Sequence, residues 1–280
     1  MNKLYTAIAT SLLLMCSSAL VSADTHGAKL QAVIDSRSEE DRSRDAARHP
    51  VETLAFFQVT PGMTVAEGLP GKGWYTTILA NYLGSEGTLY GVNYAERMWP
   101  MFGWDDELVA SRVALTAQFP QMVASLTDNG IEAQGFTFES VPEEVVGTVD
   151  RVLLIRALHN LNRFEKDGAT ASKALQSVHS MLKADGLVGV VQHRAPESVS
   201  DASASGHRGY LKQSAVIALF EKSGFELVQS SEINANPKDM PGEEAIVWRL
   251  PPSLRGSEDT AVERAAVGES DRMTLLFRKK

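Results

Sequence analysis

Cysteine is almost missing from this 280-residue chain: Cys16 is the only one. It falls in a stretch that reads as a removable leader, so the processed chain would have none. That excludes disulfides, a thiolate nucleophile and cysteine-rich zinc sites. Uninterrupted apolar sequence is equally scarce. The leading apolar stretch, Ala7 to Val21, is shorter than the roughly 20 residues a spanning helix needs. Positive charge is in deficit, with 27 Lys and Arg against 35 Asp and Glu and a formal net charge of −8. An acidic balance argues against nucleic acid or an anionic membrane as a partner. There are no internal repeats and no coiled-coil heptads. No spacing of His and carboxylates, His159 and His193 included, matches a metal-ligand pattern, so no metal is expected.

Met1 to Ala23 reads as a secretory signal peptide, with Lys3 as its positive start and Val21-Ser22-Ala23 as small residues for cleavage before Asp24. There is no twin arginine, and Met15 before Cys16 argues against lipidation. The expected product is exported, periplasmic or secreted, with no stable membrane insertion after cleavage; an uncleaved anchor is the alternative. Apolar residues make up 44% and charged residues 22% of the chain, the balance of a globular protein.

The chain is organised around Met63 to Leu83. Met63-Thr64-Val65-Ala66 reads as a buried strand, Glu67-Gly68-Leu69-Pro70-Gly71-Lys72-Gly73 as a glycine-rich turn, and Tyr75, Ile78, Leu79 and Tyr82 as one helix face. Glycine lets backbone approach a ligand closely, and a helix start offers free N–H groups. Glu67 ahead of the first glycine disfavours phosphate and suits a cationic ligand such as an amine or sulfonium. Lys72 is not followed by Ser or Thr, so this is not a phosphate-binding P-loop.

Further strands are expected at Gly87 to Asn93, Phe136 to Phe138, Val149 to Ile155, Leu187 to Val191, Phe225 to Val228 and Met273 to Phe277. Helices are expected at Asp105 to Phe119, at Ala171 to Leu182 with Gly186 as its cap, and at Leu211 to Ser223. Trp99 to Trp104 reads as an irregular aromatic stretch. The alternation implies a mainly parallel sheet with right-handed crossovers. Residues 24–53 form a helical lead-in, and residues 54–280 a single domain with a long insertion at 233–271.

Val65-Ala66-Glu67-Gly68 followed by Pro70-Gly71-Lys72-Gly73 resembles the first motif of class I S-adenosylmethionine-dependent methyltransferases. Lys183-Ala184-Asp185-Gly186 and Ser223-Gly224-Phe225 are similar to turns of the same superfamily. The finer pattern, His159-Asn160, His193-Arg194, Asn236-Pro237-Lys238-Asp239 and Asp271-Arg272-Met273, resembles a group of exported, largely uncharacterised predicted methyltransferases. The resemblance implies an α/β, three-layer Rossmann-like fold: a mainly parallel seven-stranded sheet with an antiparallel last strand. It implies S-adenosyl-L-methionine as cofactor and a small-molecule acceptor.

In such sheets, ligands sit beyond the carboxyl ends of the strands. The resemblance places Glu67, Gly68, Pro70, Gly71 and Gly73 at the methionine end of the cofactor; Tyr75, opening the helix beside the loop, could pack on the ligand, with core packing as the alternative. Asn93 stands where a carboxylate usually grips the ribose, Glu139 near the adenine end and Arg156 at the end of the fourth strand. His159 is the catalytic candidate, as an imidazole suited to proton removal near neutral pH; capping a strand–helix junction is the alternative. Asn160 would hold the acceptor or orient His159. His193 and Arg194 could bind an anionic acceptor group, or Arg194 could tether the loop from Pro196 to Gly206. A non-catalytic binding protein on the same fold is the competing function.

Overall fold

The computed structural model describes residues 25–280. The leader, Cys16 and the cleavage point before Asp24 lie outside the described residues. Among the described residues, no helix is long and apolar enough to cross a membrane.

Eight strands form the sheet: β1 (Thr64–Gly68), β2 (Thr88–Asn93), β3 (Glu132–Thr137), β4 (Val149–Ile155), β5 (Leu182–Ala195), β6 (Leu211–Lys212), β7 (Phe225–Ser231) and β8 (Arg272–Lys279). Seven follow the order β3-β2-β1-β4-β5-β8-β7, and the short β6 pairs with β5. β8 runs antiparallel to both its neighbours, and the rest of the path is parallel. This is the α/β, Rossmann-like arrangement with an antiparallel last strand. Strand β4 is almost wholly buried, which explains its unbroken apolar run Val152-Leu153-Leu154.

Twelve α-helices accompany the strands in the described residues: α1 (residues 25–35), α2 (Glu39–Arg42), α3 (Asp45–Arg48), α4 (Pro50–Phe56), α5 (Trp74–Leu83), α6 (Asp106–Ala117), α7 (Phe119–Leu126), α8 (Leu158–Arg163), α9 (Glu165–Gly168), α10 (Thr170–Met181), α11 (Gln213–Lys222) and α12 (Ala261–Val267). Most of the aromatic stretch expected to be irregular lies in a 3-10 helix, Glu96–Phe102. Two apolar layers flank the sheet. One packs α10 and α11 residues such as Leu175, Val178 and Phe220 against Val152, Val188 and Phe277. The other packs Ile78 of α5, Leu30 and Ile34 of the lead-in, and Leu54 and Phe57 just after it, against Val65, Leu153 and Leu276. The lead-in is thus part of the same core.

Several boundaries differ from expectation. The expected helix from Asp105 to Phe119 breaks into α6 and α7, with Pro120 in the first turn of α7. Gly186 does not cap α10, which ends at Met181. It lies inside β5, where an added Cβ would come within 2.8 Å of Leu182 Cδ2, so close packing is what demands glycine there. Leu211 and Lys212 are strand rather than helix, because they extend the sheet beside Arg194 and Ala195.

The 233–271 insertion is ordered by a buried carboxylate. Asp239 accepts from Tyr210 Oη at 3.0 Å and from the Asp271 amide at 3.0 Å, and pairs with Arg249. Asn236 donates to the carbonyls of Val267 and Glu269. The Asn236-to-Asp239 motif therefore holds the insertion against the sheet. At the opposite end, Glu269 faces Arg44 and Arg48 of the lead-in and Arg272 of β8. Burial alone would raise its carboxyl, but Arg272, Arg48 and Arg44 outweigh that and hold it below its ordinary value.

Candidate functional site

A cleft of about 640 Å³ opens at the carboxyl ends of β1, β2 and β4, where the chain reverses its direction of travel across the sheet. Its size is that of a small-molecule site. The glycine loop contributes Leu69, Pro70 and Gly71, β2 contributes Asn93, and the start of α8 contributes Asn160. Two residues that line it, Leu69 and Arg156, hold φ near +57° without being glycine. Such backbone costs on the order of 1–3 kcal/mol and clusters at ligand sites. Helix α5 begins at Gly73 (φ +84°) without a side-chain cap, leaving its first amides for water or a ligand.

Other expected site residues lie elsewhere. Glu67 is 4% exposed and faces α5, where it accepts from Thr76 Oγ1 at 2.7 Å. Burial pushes its carboxyl up to about 7, against the smaller opposing effect of Thr76. Gly68 is a packing glycine, since an added Cβ would lie 2.7 Å from Leu154 Cδ2. Tyr75 turns toward the lead-in, its hydroxyl 3.5 Å from the Arg48 carbonyl. Glu139 is bound by Arg97, which holds its carboxyl below the ordinary range. Glu67, Gly68, Gly73, Tyr75 and Glu139 are not among the residues lining the cleft.

The two candidate histidines form a buried pair beneath it. Their ring centroids are 5.6 Å apart. His159 Nδ1 lies 3.4 Å from Gln192 Oε1, and His193 Nδ1 lies 2.6 Å from Ser270 Oγ. Burial is the main cause that lowers both, His159 to about 4, so both imidazoles are neutral at neutral pH. Neither lines the cleft. Gln192, unremarked in the sequence, links this pair to the outer loop: its Oε1 accepts from the His159 amide and its Nε2 donates to the Gly209 carbonyl. Arg194 is committed to Glu232 and Asp271 at 2.7 and 2.8 Å, which ties down the insertion.

What lines the cleft instead is aromatic and cationic. Tyr94, Trp99, Phe102 and Trp104 form one wall, with Phe102 and Trp104 stacked at 4.6 Å. The insertion supplies Ile246, Trp248 and Arg255 to the lining. Arg112, Arg156, Arg163, Arg208 and Arg255 also line it, and the lining holds no Asp or Glu. His207 is the imidazole that borders the space. The Trp99 indole N–H and the Thr116 hydroxyl, both on lining residues, are buried without a protein partner. Each such group costs about 1–3 kcal/mol until something satisfies it. Among the described residues, no group of three or more His, Cys, Asp or Glu could hold a metal ion. The aromatic stretch from Trp99 to Trp104 was visible in the sequence. The arginines, apart from Arg156 at the end of the fourth strand, were not, because they come from four separated segments.

No protein-family model matches the chain, and no curated protein matches it. Among solved structures, the [4+2]-cyclase SpnF is similar with a TM-score of 0.52 at 13% identity, over 83% of this chain and 80% of that one. At that identity the likeness is one of fold. A SAM-dependent methyltransferase from Aquifex aeolicus is similar at 17% identity and a TM-score of 0.46, over 74% and 93% of the two chains. A 1,6-didemethyltoxoflavin-N1-methyltransferase from Burkholderia thailandensis, solved with 1,6-didemethyltoxoflavin and S-adenosylhomocysteine, is similar at 11% identity and a TM-score of 0.47, over 94% and 89%.

Proposed function

We propose that this protein is an S-adenosylmethionine-dependent methyltransferase acting on a small-molecule acceptor. One observation carries the proposal: the glycine loop, Asn93 and Asn160 converge on a single cleft at the reversal point of a sheet with the order β3-β2-β1-β4-β5-β8-β7. The residues present fit the cofactor. The backbone of Leu69 to Gly71 would take the methionine end, and the Asn93 amide can donate to and accept from ribose hydroxyls. The unpartnered Trp99 N–H and Thr116 hydroxyl offer further bonds. When bound, S-adenosylmethionine supplies an electrophilic methyl carbon: an acceptor lone pair forms the new bond, the C–S pair returns to sulfur, and the acceptor's proton goes to base or water. Asn160 would orient the acceptor. His207, which borders the cleft, would receive that proton, while the buried His159 and His193 would support the site from outside the lining.

Calorimetric titration with S-adenosylmethionine and S-adenosylhomocysteine tests this. Saturable binding is expected, weakened about tenfold in Asn93→Ala by loss of a bond worth about 1.4 kcal/mol. No heat at millimolar ligand removes the proposal.

A second function is supported by the cleft's charge. Five arginines and no carboxylate line it, which suits an anion whether or not a methyl group is transferred. The similar [4+2]-cyclase is likewise named for a reaction other than methyl transfer. An anion-binding protein on this fold gains if the chain binds the cofactor yet methylates no acceptor, and loses on the first turnover detected.

We also propose that the chain is exported with residues 1–23 removed, as the leader motif supports. Intact mass of the exported protein should begin at Asp24; a retained Met1 ends this proposal.

A further inference from the structure

The acceptor itself can be described more closely, resting on the methyltransferase function just proposed. In a chain of net charge −8, five arginines meet in one cleft whose lining has no acidic residue. Arg208 pairs with Glu244. Among the described residues, the side chains of Arg112, Arg156, Arg163 and Arg255 have no carboxylate within ion-pair distance. Glu269 acts on Arg156 only from farther away.

Three of these four guanidiniums are held by rings. Arg112 lies 5.6 Å from the Trp104 ring, Arg163 lies 5.6 Å from Phe102 and 4.8 Å from Phe164, and Arg255 lies 5.8 Å from Trp248. Ring contacts fix a guanidinium's plane without neutralising its charge or using its in-plane N–H donors. The rings of Tyr94, Trp99 and Trp104 border the same cleft, with Trp99 and Trp104 stacked at 5.9 Å and Trp104 36% exposed. A surface of this kind combines planar stacking with forked donors for a carboxylate, sulfonate or phosphate.

We propose that the outer part of the cleft, between the Tyr94–Trp104 wall and the Trp248–Arg255 wall, binds an anionic aromatic acceptor, its ring stacked on the indoles and its acid group held by Arg163 and Arg255. The two walls come from segments far apart in the chain, one between β2 and α6 and one in the 233–271 insertion. The insertion is therefore part of acceptor recognition.

The test uses the full processed chain and three probes: naphthalene-2-carboxylate, its neutral carboxamide, and cyclohexanecarboxylate. Three of the four tryptophans line the cleft, so quenching of intrinsic fluorescence reports occupancy alongside calorimetry. The naphthoate is expected to bind about tenfold more tightly than either control, the equivalent of one charge-assisted bond or one ring contact. Arg255→Gln, at an exposed position, and Arg163→Gln should each weaken the naphthoate and leave the carboxamide unchanged. Unchanged melting temperatures would show that both variants fold. Equal affinity for acid and amide, or no loss in either variant, overturns the proposal.

S-adenosylhomocysteine titrated into the same protein separates the two claims. If it fails to bind while the naphthoate binds with the expected selectivity, methyl transfer falls and the anionic aromatic site stands. If it binds while acid and amide are indistinguishable, the acceptor assignment falls and the cofactor site stands.

Discussion

Glu67 shows how one residue's chemistry depends on which face of a strand it takes. Side chains alternate along β1, so Glu67 shares the side of Val65 and meets Thr76 of α5 rather than the cleft. Burial raises its carboxyl from 4.5 to about 7. The folded state therefore holds this proton more tightly than the unfolded chain does. Stability from this group is fully present below pH 4.5 and is lost as the pH rises to about 7, by about 3 kcal/mol in all. Glu67→Gln keeps an acceptor for Thr76 and removes the titration. Its melting temperature should exceed that of the wild type at pH 8, and the gap should shrink at pH 5. A gap independent of pH would show that Glu67 does not titrate in this window.

At the scale of elements, the floor of the cleft depends on how α8 meets the 206–210 loop. Gly206 has φ +96°, and an added Cβ would lie 2.0 Å from the His159 carbonyl oxygen, which is backbone and cannot swing aside. Gln192 closes the same junction from β5. Gly206→Ala is expected to cost about 3 kcal/mol or more, combining overpacking with a strained backbone. Urea unfolding measures this directly; a loss under 1 kcal/mol would mean that the loop can move off α8, and the site with it. The same junction bears on His159, which is buried there beside Gln192, while its neighbour Asn160 borders the cleft.

Across the whole molecule, the first and last segments are joined through Glu269. Its carboxylate is the common partner of Arg44, Arg48 and Arg272. Glu269→Gln leaves three guanidiniums facing one another with little water, a change expected to cost about 3–5 kcal/mol. Because the three arginines hold this carboxyl below its ordinary value, its contribution is present above about pH 4.5 and fades as acid protonates it. Thermal unfolding of wild type and variant at pH 7 and pH 4 should converge on the acid side. Limited proteolysis should also cut the variant first in the lead-in, near α2 and α3. Equal stability at pH 7 would show that the lead-in is held by its apolar residues alone.

The sequence by itself determined the strands, their buried or half-buried character and the parallel layering, because apolar period and glycine punctuation are local properties of the chain. It also marked the glycine loop, Asn93, Arg156 and Asn160 as strand-end residues, and Leu69, Pro70 and Gly71 of that loop border the cleft together with Asn93, Arg156 and Asn160. Tertiary structure alone decided which side chains face that space. Adjacent helix residues point about 100° apart, so His159 turns into the core while Asn160 faces out, and no motif spacing distinguishes them. Likewise the arginine and tryptophan lining is assembled from the segment between β2 and α6, the end of β4, α6, α8, the 206–210 loop and the insertion. Its charge becomes a field only when folding brings those distant segments within a few ångströms of one another.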